Sequence, residues 1–147
     1  MTIAVDTNVL ARLLLNDHPA QHARARALLE QDELFTAPPT VMLELVWVLE
    51  ANDCTREEIS RALELLMCWP RFQPQDPEPL RLALAWYGQG LDFADALHLA
   101  LGRGADCFAS FDQALARGAA RIGAVPPVVG VPALSARQPR PRSARRS

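Results

Sequence analysis

The chain contains no lysine: all 15 of its basic residues are arginine. A phosphate-binding loop built on a lysine is therefore excluded. Cysteine is scarce too. Cys54, Cys68 and Cys107 are odd in number, scattered, and form no C-x-x-C pair. That argues against a disulfide framework or structural zinc and for a reducing compartment. Long apolar runs are missing: the longest uncharged stretch, residues 122–136, is broken by Pro126, Pro127 and Pro132, so no membrane span is expected. Asp6 interrupts the apolar residues near the N-terminus and no basic residue precedes them. A signal peptide is not expected either, and the cytoplasm is the expected location. Aromatics are few. Trp47, Trp69, Trp86 and Tyr87 are dispersed, which suits core or dimer packing better than a base-stacking surface.

What is present is one domain's worth of chain, 147 residues, half of them apolar. The formal net charge of −2 hides an asymmetry. Arg137, Arg140, Arg142, Arg145 and Arg146 lie in the last 11 residues, where there is no acid. The first 136 residues carry 10 Arg against 17 Asp and Glu, a net of −7. Residues 1–134 read as the folded domain. Residues 135–147, rich in Arg, Pro and Ser, read as a solvated disordered tail. An acidic body is not a general basic surface for nucleic acid.

Short β-like runs over 2–5, 34–37, 71–73, 107–110 and 128–131 alternate with helical patterns over 8–15, 18–31, 41–51, 55–67, 77–87, 93–101 and 112–117. Thr40 suits the N-cap of the third helix, and Thr55 with Glu58 forms a capping box. This alternation predicts an α/β fold with a mostly parallel sheet and helices on both faces. In such sheets sites form beyond the carboxyl ends of the strands, where Asp6 and Asp112 fall.

Asp6 follows Ile3-Ala4-Val5 and reads either as a helix N-cap or as a ligand. Glu44 is the one charge in the nine-residue segment 41–49, and an ionised Glu on an all-round apolar helix needs a partner or a metal. Asp92 suits an N-cap and Asp95 the N3 position, with Asp95 on the inward face beside Leu91, His98 and Leu99. Asp112 again follows a strand, and Ser110 either orients a ligand or bonds the backbone of its own turn. Two carboxylates about 4 Å apart repel by about 4 kcal/mol at an effective dielectric of about 20. A cluster of four needs cations or bound protons. Oxygen-only ligation suits Mg²⁺ or Mn²⁺, and such ions serve phosphoryl transfer. His98 reads as a helix-face residue packed beside the site, because an all-carboxylate metal site needs no imidazole. Cys107 reads as a small core residue.

At these positions the chain resembles a PIN-domain ribonuclease of the VapC toxin type. The matching pieces are Val5-Asp6-Thr7-Asn8-Val9-Leu10, Leu43-Glu44-Leu45-Val46-Trp47-Val48-Leu49, Asp92-Phe93-Ala94-Asp95-Ala96-Leu97-His98, and Ser110-Phe111-Asp112-Gln113-Ala114-Leu115. No single piece is specific; the four in order, spanning residues 5–115, are. The resemblance implies a three-layer α/β/α fold and Mg²⁺-dependent endoribonuclease activity, with Mn²⁺ as a substitute ion. It implies Asp6, Glu44, Asp95 and Asp112 as catalytic, metal-binding acids and Asp92 as a less constant acidic position. Asn8 would support Asp6 by hydrogen bonding and Ser110 would help to arrange the site. It also implies a homodimer, an RNA substrate and a cognate antitoxin. The Arg-rich tail is no part of the family pattern.

Two other readings compete. A haloacid-dehalogenase-like phosphatase would also carry an Asp after its first strand. It wants a second acid two residues on, where Asn8 stands and cannot serve. A non-catalytic PIN-like protein-binding module would be expected to lack some of the four acids, all of which are present.

Overall fold

The computed structural model describes residues 1–132. The boundary at residue 134 and the Arg-rich tail lie outside the described residues. Eleven elements follow one another: β1 (Thr2–Ala4), α1 (Thr7–Leu15), α2 (Pro19–Leu29), β2 (Leu34–Thr36), α3 (Pro39–Ala51), α4 (Arg56–Met67), α5 (Pro77–Gly88), α6 (Phe93–Leu101), β3 (Phe108–Ser110), α7 (Gln113–Ile122) and β4 (Val128–Gly130). The class is the expected three-layer α/β/α, and every strand pairing is parallel.

The sheet is divided more than the pattern predicts. β1 pairs with β2, Ile3 opposite Phe35, and β3 pairs with β4, Ser110 opposite Gly130. The run at 71–73 is not a strand. It contributes a single bridge, Phe72 opposite Phe35, in which Phe35 N–H donates to the Arg71 carbonyl and Gln73 N–H to that of Phe35, both at 2.7 Å. Trp69 and Pro74 flank a stretch too short to add more ladder bonds.

Local chemistry fixes the helix ends. The capping box forms as expected, with Thr55 and Glu58 each accepting from the other's backbone N–H. α3 departs from expectation. Pro38, not Thr40, is its N-cap, and no side chain caps it. Pro39 at N1 has φ preset for the helix and lacks an N–H that would need a partner. α7 also runs past Arg117 to Ile122 and ends at Gly123, whose φ of 69° suits glycine. A Cβ on Gly118, inside α7, would lie 3.4 Å from Leu91 Cδ1, at the edge of ordinary contact.

The core joins Leu10 of α1, Phe35 of β2, Met42, Leu45, Val46 and Leu49 of α3, Leu63 of α4 and Phe93 and Leu99 of α6, all buried. Tyr87 and Phe93 meet edge to face at 5.6 Å. Arg56 lies over the Tyr87 ring and donates to the carbonyls of Tyr87 and Leu91. Trp86 and Tyr87 are buried, whereas Trp47 is exposed. Cys107 is exposed just before β3 rather than packed in the core, because the strand begins one residue later than its apolar run suggests.

Candidate metal centre

The first acidic residues meet through Thr7. β1 ends and the chain turns into α1 at Asp6, whose Oδ1 accepts from the Thr7 N–H at 2.7 Å. The Thr7 hydroxyl then donates to Glu44 Oε2 at 2.8 Å, bringing α3 to the start of α1. Thr7 is the only buried polar or charged residue among the described residues. Asp6, Thr7, Asn8, Arg12 and Glu44 share the lining of a cleft of about 500 Å³.

Glu44 is not the buried charge that its apolar neighbours predict. It is exposed, on the face of α3 opposite Met42, Leu45, Val46 and Leu49. The neighbouring Trp47 is half out of the protein, at 52 % exposure. The segment looks apolar all round because exposed and half-buried apolar residues occupy its outer side; the partner a Glu needs is the Thr7 hydroxyl.

The second group is Asp92, Asp95 and Asp112. Asp92 caps α6, its Oδ2 accepting from the Asp95 N–H at 3.1 Å. Asp112 caps α7, its Oδ1 accepting from the Leu115 N–H at 3.0 Å. Asp95 is half-buried. Burial holds its carboxyl above the ordinary Asp range, and the charges of Asp92 and Asp112 add to that; His98, exposed one turn on, opposes them. Ser110 Oγ accepts from the Asp112 N–H at 3.0 Å, so its hydroxyl fixes the turn that presents Asp112.

For Asp6, Asp92 and Asp112 the cap and ligand readings are compatible. Each carboxylate commits one oxygen to a helix N–H and has a second one besides. Five ion pairs form among the described residues, and none of them uses Asp6, Glu44, Asp92, Asp95 or Asp112. An all-carboxylate set that forms no ion pair has the donor chemistry of a Mg²⁺ or Mn²⁺ site. The acids nevertheless remain two groups. Among the described residues no three His, Cys, Asp or Glu side chains stand close enough to hold one ion.

Thr7 is the residue that the acid-by-acid reading passes over. Asn8 lines the cleft, but among the described residues the hydrogen bonds that tie Asp6 to Glu44 come from Thr7. The signal was there in the spacing: Thr7 precedes Leu10 and Ala11 by three and four residues, which puts it on the buried face of α1.

A family model described as "PIN domain" matches residues 3–120. No curated protein and no solved structure matches the chain significantly.

Proposed function

The chain belongs to the PIN-domain family, and from that premise we propose that it is a Mg²⁺-dependent endoribonuclease, the toxin of a toxin–antitoxin pair. PIN domains are generally Mg²⁺-dependent nucleases; the RNA substrate, the endonucleolytic cut and the toxin role belong to the proposal. One observation carries it. Asp95 is half-buried, with the charges of Asp92 and Asp112 adding to the effect of burial on its carboxyl, and no ion pair among the described residues relieves that repulsion.

Asp6 and Glu44 in one group and Asp95 and Asp112, with Asp92 beside them, in the other would hold one or two ions, a single shared ion requiring the two groups to draw together. A Mg²⁺ held there would supply activation of water and neutralisation of charge on the phosphoryl oxygens. The chain's own part is placement. Asp6, Asp92 and Asp112 are anchored through helix amides, Thr7 holds Glu44, and Ser110 orders the turn before Asp112. The low-polarity surroundings of Asp95 favour its charge being met by a cation.

The reading includes a homodimer, neutralisation by a cognate antitoxin, and a cytoplasmic site of action in keeping with three free cysteines. Among the described residues no helix is long and apolar enough to cross a membrane.

The test is cleavage of labelled RNA by the purified chain in Mg²⁺ or Mn²⁺, against the Asp95→Asn variant. Wild type should yield fragments with 5′-phosphate and 3′-hydroxyl ends, and the variant none, with an unchanged circular dichroism spectrum. Full activity in folded Asp95→Asn protein would overturn the reading.

A further inference from the structure

An acidic body that acts on RNA must still attract a polyanion, and the carboxylates of its site repel one. A second cleft, of about 680 Å³, adjoins the acidic one and shares Asn8 and Arg12 with it. It lies between α1 and α2. Ala25 is buried and Val9, Arg12 and Leu28 are half-buried, while Asn8, Gln21 and Arg24 are exposed. Two Arg and no acid line it.

The two Arg are held differently. Arg12 donates from Nε to Gln21 Oε1 at 2.7 Å and from Nη1 to both oxygens of Asp17, at 2.8 and 2.9 Å. Those bonds fix the guanidinium plane and use none of its Nη2 donors. Arg24 is exposed and makes no ion pair or side-chain hydrogen bond among the described residues. A guanidinium in that condition is available to a phosphate, which it can grip with two parallel bonds.

We infer that this cleft binds the RNA strand next to the phosphodiester that is cut, with Arg12 and Arg24 as phosphate-binding residues. The inference rests on the nuclease reading and extends it to substrate positioning. Continuity carries it: a strand leaving the acidic cleft past Asn8 and Arg12, whose charge Asp17 balances, enters an adjoining cleft lined by no acid, where Arg24 forms no ion pair among the described residues. A protein partner is the competing occupant, since Arg is also enriched at protein interfaces, and the experiment separates the two.

The experiment reads RNA binding and cleavage separately. Binding of a labelled single-stranded RNA is measured by anisotropy over a salt series in the Asp95→Asn background, with and without Arg24→Glu and the milder Arg24→Gln. Cleavage kinetics are measured for Arg24→Glu in the wild-type background. Arg24→Glu should weaken binding by about tenfold at low salt and lower the salt slope by about 0.7, the value of one phosphate contact on a single strand. It should raise KM and leave kcat within about twofold, with Arg24→Gln intermediate. RNA cut by wild type but bound equally well by Arg24→Glu protein would overturn the cleft and leave the nuclease standing. Arg24-dependent binding without any cleavage by wild type would do the reverse. Loss of capture by a protein partner with RNA affinity unchanged would reassign the cleft to protein, and absence of RNA binding altogether would sink both.

Discussion

The hydroxyl of Thr7 donates to Glu44 across 2.8 Å, joining the start of α1 to the middle of α3 through the one buried polar residue described. A glutamate that is exposed on its helix thereby acquires a fixed direction. Replacing Thr7 by Val keeps the shape and the branched side chain but removes the donor. Glu44 then swings free into water at little cost, since solvent can replace the bond; the stability change should stay within about 1.5 kcal/mol. RNA cleavage should fall by about 10–100-fold, the usual effect of losing a group that orients a metal-binding side chain. Thr7→Ser should restore most of it. Urea unfolding and a cleavage assay on the same preparations separate the two effects, and wild-type activity in Thr7→Val would show that Glu44 needs no orienting.

Asp95 supplies a pH signature. Its carboxyl is held above the ordinary range by burial, then by Asp92 and Asp112. A raised acid pKa means that the folded state binds the proton more tightly than the unfolded one. The resulting penalty is fully present above the folded pKa and disappears as pH falls to the unfolded value of about 3.9. In EDTA, this group should therefore favour folding progressively as the pH is lowered from neutral towards about 4. Asp95→Asn should remove that contribution and be more stable than wild type at pH 7. Melting curves at pH 7 and pH 4.5 check the sign; an identical pH dependence in the two proteins would show that Asp95 is not strained by its neighbours.

Added Mg²⁺ should reverse the same strain. A ligand that binds only the folded state stabilises it by about 2.7 kcal/mol at 100 times its Kd. Wild-type Tm at pH 7 should rise with Mg²⁺ or Mn²⁺. The rise should vanish in Asp112→Asn, whose amide still accepts from the Leu115 N–H that Asp112 now caps. A full metal-induced shift in that variant would remove Asp112 from the ion's ligands. Because the described acids stand in two groups rather than one, the shift also reports whether an ion draws them together.

Much of this arrangement is written in short-range chemistry. The capping box of α4, the caps at Asp6, Asp92 and Asp112, and the order of helices and strands follow from residues a few positions apart. The coupling of Asp95 to Asp112 and of Thr7 to Glu44 does not. Those pairs lie 17 and 37 residues apart, and only packing brings them into range. Glu44 shows the limit most clearly: nine residues with one charge read as buried all round, yet tertiary contacts cover only one side of α3. Cys107 fails for a different reason, since an apolar run does not say where its strand starts.

Asp6 separates architecture from chemistry. Its Oδ1 accepts from the Thr7 amide at the start of α1, so a purely structural role is complete without any catalysis. Asn caps a helix about as well as Asp, whereas Ala does not. Asp6→Asn should therefore unfold within a few tenths of a kcal/mol of wild type, and Asp6→Ala about 1 kcal/mol sooner. If Asp6 is only a cap, Asp6→Asn keeps full activity and Asp6→Ala loses activity only in step with its stability. If it ligates the ion, both variants lose cleavage equally, because an amide carries no charge to offer Mg²⁺. The expected outcome is the second: near-wild-type unfolding of Asp6→Asn with no RNA cleavage at pH 7 and saturating Mg²⁺. Retained cleavage in Asp6→Asn would reduce Asp6 to the cap and leave the ion to the remaining acids.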